Sequence, residues 1–231
     1  MKSMIVFDMD GVLVDVTESY RETICQTVKA FTGQRITREL VQEYKNRGGF
    51  NNDWLLSQTI CRDLGLELEY QTVVDRFNEL FFGDLSTGIP TGLMRNERWL
   101  PANGLLEDLR KNHLLSVFTG RLRDEAMITL RRFGHTATFE PVVGDDDVSK
   151  GKPDPEGLLK IQAAYPGTRL IYVGDTVDDA RASRAAAVPF IGIAHPHTHN
   201  RDRLLDLFRE ERAARIVNDV NELPQALSQL T

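Results

Sequence analysis

Two aspartates, Asp8 and Asp10, directly follow the first apolar run of this 231-residue chain, at residues 4–7. An apolar run that ends in an acidic pair predicts a buried parallel strand with two carboxylates at its C-terminal edge, where open α/β sheets bind ligands. Because side chains alternate along a strand, both carboxylates point the same way. At about 4 Å and an effective dielectric of about 20, they repel by on the order of 4 kcal/mol. The pair therefore predicts a bound cation or a protonated carboxyl.

Polar residues also follow two later apolar runs, and a lysine–proline pair lies between those runs. The motifs are Thr119-Gly120-Arg121 after residues 114–118, Lys152-Pro153, and Gly174-Asp175 after residues 170–173, with Asp179 four residues later. Each motif alone is weak evidence, since such short patterns are frequent by chance. Four motifs in this order, three of them at predicted strand ends, form a specific signature.

This signature resembles the haloacid dehalogenase superfamily of phosphotransferases, and the resemblance covers almost the whole chain. The matching features are the DxD motif that begins at Asp8, the strand-end Thr119, Lys152 before a proline, and the GDxxxD motif at residues 174–179. The resemblance implies subfamily I, with a type 1 helical cap that closes over the active site and selects the substrate. The implied fold is α/β: a doubly wound, Rossmann-like parallel-sheet core with an inserted helical-bundle cap.

Residues 17–97 are predicted to form four consecutive amphipathic helices without a strand, which is typical of a helical bundle. Ser19 with Glu22, Thr37 and Asp53 are the predicted helix caps. Strand–helix alternation in the rest of the chain favours a doubly wound parallel sheet. The predicted domains are an α/β core of residues 1–16 and 98–231 and a cap of residues 17–97.

The resemblance assigns catalytic roles to both residues of the first acidic pair. Asp8 is the predicted nucleophile, since a covalent aspartyl phosphate splits a slow hydrolysis into two steps. Asp10 is the predicted general acid and base, which protonates the leaving alkoxide and then activates water. The dehalogenase branch of the superfamily lacks an aspartate at the position of Asp10, so this residue favours phosphoryl transfer.

Mg²⁺ is the predicted cofactor, because it prefers oxygen ligands and is usually held by one or two carboxylates with substrate phosphate. The predicted metal ligands are Asp8, the backbone carbonyl of Asp10, Asp175 and Asp179. Two alternatives stay open at the last position. Asp179 also fits a helix N-cap pair with Thr176, and Asp178 is a rival for the metal.

A second group of residues is predicted to bind the phosphate. Thr119 and the backbone N–H of Gly120 match the family position that holds a phosphate oxygen. Lys152 is the predicted fixed positive charge beside the nucleophile, with Lys150 as the competing lysine. Arg121 is predicted either to reach a second anionic group of the substrate or to pair with Asp124.

The segment at residues 45–54 of the predicted cap combines hydrogen-bond donors with a Gly-Gly turn, which is unusual for a simple connector. In relatives, a loop at about this place contacts the leaving group. Arg47, Asn51 and Asn52 are the predicted substrate-binding residues here, with Lys45 behind them. The alternative is a capping role for Asn52 or Asp53.

Composition limits the partners of the protein. The formal charge is −6 and no basic stripe is present, which argues against nucleic-acid binding. No apolar run is long enough to span a membrane, and Cys25 and Cys61 are predicted to be buried thiols of a cytoplasmic protein. We expect a monomer or a homodimer. The alternating histidines at residues 195–199 suggest zinc, but a surface loop is the favoured interpretation.

The predicted function is therefore an Mg²⁺-dependent phosphatase that hydrolyses a small phosphorylated metabolite through an aspartyl phosphate. A sugar phosphomutase would use the same residues, and a non-catalytic binding or signalling protein is the alternative from another class. Residues 7–16 and 48–54 also look similar to a subgroup that can be fused to histidine-biosynthesis enzymes. That similarity suggests a phosphomonoester of the histidine pathway.

Overall fold

A computed structural model describes residues 3–50, 52–84, 86 and 90–230. The chain divides into two compact units, which we call the core unit (Met1–Val14 with Trp99–Thr231) and the helical unit (Asp15–Arg98). The boundaries differ by one or two residues from the predicted ones, and the division into domains stays a prediction.

The strands and α-helices follow one another in the order expected for an α/β chain with a helical insertion. The strands are β1 Ser3–Phe7, β2 Val14–Asp15, β3 Arg98–Trp99, β4 His113–Phe118, β5 Val142–Val143, β6 Leu170–Gly174, β7 Phe190–Ile193 and β8 Arg215–Val217. The helices are α1 Tyr20–Thr32, α2 Arg38–Arg47, α3 Asp53–Asp63, α4 Tyr70–Phe82, α5 Leu105–Asn112, α6 Arg123–Arg132, α7 Glu156–Ala164, α8 Val177–Ala185, α9 Arg201–Glu210 and α10 Leu223–Ser228.

The core unit contains a six-stranded sheet in the order β5-β4-β1-β6-β7-β8. All of its neighbouring strands are parallel. The chain leaves β1 to one side through β4 and β5, and then returns to build β6, β7 and β8 on the other side. This reversal at β1 creates the switch point at which such sheets bind ligands, and it confirms the predicted doubly wound sheet.

The three central strands are buried because their residues are almost all apolar. Ile5 and Val6 of β1, Val117 of β4 and Val173 of β6 have no exposed surface. Strands covered on both faces are expected to be continuous apolar runs in this way. Since β4, β1 and β6 are neighbours, the residues that follow them lie side by side at one edge of the sheet.

The helical unit contains α1 to α4, and α1 packs against each of the other three. Its interior consists of apolar side chains at helical spacing, such as Ile24, Val28 and Phe77. Thr37 caps α2 as predicted, with its hydroxyl accepting from the N–H of Leu40.

Two predicted caps are wrong. The Ser19 side chain makes no capping hydrogen bond, since its backbone (φ −117°, ψ −95°) is not in the extended conformation that such a bond needs, and Glu22 accepts from Arg38 and Gln26. Helix α3 is capped by Asn52, one residue before Asp53, which confirms the alternative of a capping role for Asn52.

Helix α9 and the pair β2–β3 were not predicted. The amino acids of α9 are mostly charged, but Leu204, Leu207 and Phe208 form a buried stripe at spacings of three and four. The spacing of these three apolar residues was therefore the signal for a helix, and the many charged residues around them made it hard to recognise. Strands β2 and β3 have two residues each and form a separate two-stranded sheet, which is too short for an alternating pattern to be recognised. Among the described residues, no helix is long and apolar enough to cross a membrane.

Candidate active site

The site is built on the C-terminal ends of β1, β4 and β6, where Asp8, Thr119 and Asp175 directly follow the strands. The sheet hydrogen bonds continue one residue past the strands. The Asp8 N–H donates to the carbonyl of Val173 at 2.8 Å, and the Thr119 N–H donates to the carbonyl of Val143 at 3.0 Å. The backbone that carries these side chains is therefore fixed by the sheet itself.

Lys152 contacts two carboxylates that lie far apart in the sequence, Asp8 after β1 and Asp179 on α8. Its Nζ lies 2.8 Å from Oδ1 of Asp8 and 2.7 Å from Oδ1 of Asp179, and its side chain is 1% exposed. The ammonium also lies 5.1 Å from the ring centre of Phe118, close enough for a cation–π contact. The competing lysine, Lys150, is exposed. Lys152 therefore lies beside Asp8, and its role as the fixed charge beside a nucleophile stays a prediction.

Asp179 is surrounded by donors. Oδ1 accepts from Lys152 and, at 2.7 Å, from the hydroxyl of Tyr172, while Oδ2 accepts from the N–H and the hydroxyl of Thr176 at 3.0 and 2.6 Å. The Asp179 N–H returns a bond to the Thr176 hydroxyl, which completes a capping box. Asp179 is therefore the partner of the N-cap residue Thr176, as the sequence left open, and it also anchors Lys152.

Tyr172 is a site residue that the sequence analysis missed. It lies in the middle of β6, is fully buried, and donates to Asp179 across the sheet edge. Burial raises the pKa of its hydroxyl well above the usual value, and the Asp179 and Asp8 charges add to this, so the group stays a proton donor. A tyrosine inside a buried strand was the available signal, because a buried hydroxyl needs a partner.

Three carboxylates could hold a metal ion. Ligand oxygens of Asp8, Asp175 and Asp179 lie within 4.8 Å of one another. Gly11 adjoins this cluster with φ of +73°, and a Cβ built on it would lie 1.9 Å from Oδ2 of Asp175. Only glycine therefore leaves room for that carboxylate. An all-oxygen donor set suits Mg²⁺, although both oxygens of Asp179 already accept two hydrogen bonds each.

The charges of the cluster shift one another's pKa values. Burial raises the pKa of Asp8 well above its usual value; Lys152 opposes this shift, and the neighbouring carboxylates add to it. Burial also acts to raise the pKa of Asp179, but Lys152 and the hydrogen bonds from Thr176 and Tyr172 outweigh it, so this pKa is lowered. Burial acts to lower the pKa of Lys152, but Asp179 and Asp8 raise it. A cation beside Asp8 would favour the ionised form that a nucleophile needs.

Thr119, Gly120 and Arg121 follow β4, and the structure gives contacts for the side chains of Thr119 and Arg121. Thr119 is buried, and its Oγ1 accepts from the backbone N–H of Arg121 at 3.2 Å. The Arg121 side chain does not pair with Asp124, the predicted partner within the chain, but contacts Asp10 and Thr129. Phosphate binding by Thr119 and Gly120 stays a prediction.

The predicted substrate-binding residues of the helical unit have local partners. The guanidinium of Arg47 is exposed and lies 4.4 Å from the ring centre of Tyr44. Asn52 caps α3 by accepting from the N–H of Leu55 at 2.9 Å. Lys45 pairs with Asp53 at 2.8 Å. Asn51 lies outside the described residues.

The alternating histidines do not belong to the acidic cluster. His195 and His197 are exposed, with their ring centres 5.3 Å apart. The segment is a loop between β7 and α9, as favoured from the sequence.

Residues 3–187 match the haloacid dehalogenase-like hydrolases, and this chain belongs to that family. The match covers every site residue of the core unit named above. It makes the protein an enzyme of the hydrolase class, and it agrees with the resemblance found in the four motifs.

The individual proteins that match this chain share about a third of its sequence or less. The chain is 32% identical over 204 residues to an imidazoleglycerol-phosphate dehydratase of Phytophthora nicotianae, a match that covers 84% of this chain but only 44% of that protein. It is 26% identical over 231 residues to a phosphoglycolate phosphatase of Pseudomonas syringae pv. syringae, covering 96% and 79% of the two chains. The crystal structure of a putative phosphoglycolate phosphatase from Lactobacillus plantarum shares the fold, with a TM-score of 0.75 at 19% identity over 98% and 99% of the chains.

Proposed function

We propose that this protein is an Mg²⁺-dependent phosphatase that hydrolyses a small phosphomonoester through an aspartyl phosphate on Asp8. The observation that carries the proposal is the contact of Lys152 with Asp8 and Asp179 beside a cluster of carboxylates. A buried lysine bonded to a strand-end aspartate holds that carboxylate in place and supplies positive charge where a phosphoryl group would be transferred.

In the first step, an oxygen of Asp8 attacks the phosphorus atom and the bond from phosphorus to the leaving alkoxide breaks. Asp10 donates a proton to the alkoxide oxygen, which leaves as an alcohol. Lys152 orients Asp8 through Oδ1, so the other oxygen, Oδ2, is the one available for attack. Asp179, with Tyr172 and Thr176 behind it, keeps Lys152 in that position.

In the second step, water attacks the phosphorus atom of the aspartyl phosphate and the bond to Asp8 breaks. Asp10, now a carboxylate, accepts the proton of the water, so inorganic phosphate leaves and both aspartates return to their starting states. We assign the hydroxyl of Thr119 and the N–H of Gly120 to a phosphate oxygen, because Thr119 ends the strand next to β1.

Asp8, Asp175 and the backbone carbonyl of Asp10 are the proposed protein ligands of Mg²⁺. The ion would neutralise charge on the phosphate and on the carboxylates around it. Asp179 is a poorer ligand than the sequence suggested, since four hydrogen bonds already occupy its oxygens.

The proposed substrate is a small phosphomonoester, and two relatives support the choice of the first compounds to test. One is named a phosphoglycolate phosphatase. The other, a longer protein, is named an imidazoleglycerol-phosphate dehydratase, and the sequence also suggests the histidine pathway. Arg47 and Asn51 remain the proposed contacts to the leaving group.

The experiment that tests the proposal measures phosphate release from a panel of phosphomonoesters, with Mg²⁺ or with EDTA. The panel contains 2-phosphoglycolate, histidinol phosphate and several sugar phosphates. We expect Mg²⁺-dependent release, lowered on the order of 10⁴-fold or more in Asp8→Asn. The control is Asp124→Asn, which changes an exposed carboxylate at the start of α6.

Two results would contradict the proposal. Release that persists in Asp8→Asn would exclude Asp8 as the nucleophile. Isomerisation of a sugar phosphate without release of phosphate would make the protein a phosphomutase, which uses the same residues.

A further inference from the structure

Arg121 is a buried arginine whose side chain contacts Asp10 and Thr129 within the core unit. Its side chain is 1% exposed. The guanidinium contacts Oδ1 of Asp10 through Nε at 2.7 Å and through one terminal nitrogen at 2.6 Å, and the other terminal nitrogen donates to Thr129 at 2.7 Å. The backbone of Arg121 is also fixed, because its N–H donates to Thr119 and its carbonyl accepts from Asp145.

Thr129 determines the direction of the guanidinium. It lies on α6 and has no exposed surface. Its Oγ1 accepts from Arg121 on the side of the guanidinium away from Asp10. Because a guanidinium is planar, with donors in a fixed arrangement, one bond to Thr129 and two contacts to Asp10 leave it a single orientation.

Asp10 is held by one oxygen. Both contacts from Arg121 go to Oδ1, and its side chain is 30% exposed. Within the described residues, Oδ2 of Asp10 makes no hydrogen bond. An oxygen that accepts from an arginine keeps this contact whether the carboxyl is ionised or protonated, as long as the proton is on the other oxygen. The arrangement therefore reserves Oδ2 for the proton.

We infer that Arg121 is a positioning residue for proton transfer: held by Thr129, it fixes Asp10 so that Oδ2 gives the proton to the leaving oxygen and later takes one from water. The inference rests on the proposed function and replaces the predicted substrate-binding role of Arg121. A guanidinium at 1% exposure, which already donates to Asp10 through Nε and to Thr129 through a terminal nitrogen, is poorly placed to bind a substrate.

The dependence on the leaving group separates this role from a structural one. An alkoxide needs a proton to leave, whereas p-nitrophenolate is stable enough to leave without one. The ratio kcat/KM reports the steps up to transfer to Asp8. Loss of a well-placed acid should therefore lower kcat/KM for an alkyl phosphate much more than for p-nitrophenyl phosphate.

The experiment compares kcat/KM of the full-length protein for the best alkyl phosphate of the panel and for p-nitrophenyl phosphate. The variants are Arg121→Met, Arg121→Lys, Thr129→Val and Asp10→Asn, with Arg123→Met as the control. Arg123 is an exposed arginine at the start of α6 that pairs with Asp147. Thr129→Val keeps the volume of the side chain, so it tests the anchor if the Arg121 variants do not fold.

We expect Arg121→Met to lose on the order of 10²-fold in kcat/KM for the alkyl phosphate and less than about tenfold for the aryl phosphate. Thr129→Val should also lose more kcat/KM for the alkyl phosphate than for the aryl phosphate, but by smaller factors. Arg121→Lys should lose less than Arg121→Met. Arg123→Met should leave kcat/KM unchanged for both substrates. Asp10→Asn should show the largest split.

Three outcomes would overturn the inference, and a fourth would refute the proposed function. Equal losses for both substrates in Arg121→Met and Thr129→Val would make Arg121 structural. A raised KM with unchanged kcat would make it a substrate ligand. Equal losses in Asp10→Asn would show that Asp10 is not the acid, and failure of the wild type to release phosphate would refute the proposed function itself.

Discussion

Two regions of the molecule pair a lysine with an aspartate, but they bring the two residues together differently. At the strand ends of the core unit, Lys152 contacts Asp8, which lies 144 positions away in sequence. In the turn between α2 and α3 of the helical unit, Lys45 contacts Asp53, eight positions away, and Asn52 contacts Leu55, three positions away. Short-range contacts follow from helix capping and turn geometry. The long-range contact requires the whole sheet to form.

The burial of the two lysines and the range of their contacts indicate that a function can be inferred for the strand ends but not for the turn. Lys152 is 1% exposed, so its charge has lost almost all contact with water and depends on Asp8 and Asp179. The Lys45 side chain keeps 15% of its surface exposed and has a local partner. A buried ion pair is weak evidence for stability, because apolar side chains could replace the whole pair at little cost, so its presence at the edge of the sheet points to chemistry. The polar residues of the turn have sufficient structural reasons of their own.

The largest predicted effect contrasts Lys152→Met with Lys45→Met. Removing Lys152 leaves Asp8 and Asp179 as buried carboxylates without their cation, which should lower the free energy of unfolding by about 3–5 kcal/mol. Removing Lys45, which is 15% exposed, should lower it by a smaller amount, about 1–2 kcal/mol. Urea unfolding followed by circular dichroism measures both. Equal losses would mean that the Lys152 contacts are no different in kind from an ordinary ion pair.

A smaller effect is expected from the matched pair Gly11→Ala and Gly33→Ala. Both glycines have φ of +73°, so a Cβ strains the backbone equally. At Gly33 the Cβ meets nothing within 4 Å, whereas at Gly11 it lies 1.9 Å from Asp175 Oδ2. Each variant should lose about 1 kcal/mol of stability. Gly11→Ala alone should raise the Mg²⁺ concentration for half-maximal activity by about 10- to 100-fold, because it displaces Asp175.

Titration of phosphate release with Mg²⁺ checks this second prediction. An unchanged Mg²⁺ requirement in Gly11→Ala would argue that Asp175 is not a metal ligand. A raised requirement in Gly33→Ala as well would assign the effect to general destabilisation rather than to the clash.

The comparison also explains which features the sequence could predict. Asp8, Thr119 and Asp175 follow apolar runs, and the order of parallel strands turns that local pattern into a shared edge of the sheet. Lys152 was chosen over Lys150 by the proline after it. These predictions needed strand periodicity, motif spacing and the resemblance of the four motifs to the family.

The sequence could not predict contacts that depend on which side chains meet after folding. Arg121 could be paired on paper with Asp124 or with a substrate, and only the packing of α6 places Thr129 behind its guanidinium. Tyr172 looked like one more apolar residue of β6, because the partner of its hydroxyl is seven positions away across a turn. Such contacts depend on side-chain rotamers and packing, which residue spacing does not determine.

The smallest effect tests the helical unit with Asn52→Ala against Thr37→Ala. Each side chain accepts a hydrogen bond from the first turn of its helix, at 2.9 Å for Asn52 and 3.3 Å for Thr37. Both variants should therefore lose about 1 kcal/mol in urea unfolding, with KM unchanged. Since Asn51 adjoins Asn52 in the segment predicted to contact the substrate, this pair is a strict test. A KM raised only in Asn52→Ala would show that Asn52 binds the substrate as well as capping α3. A hydrogen bond to a nearby residue, such as the one from Leu55, would then not argue against a role of the same side chain in substrate binding.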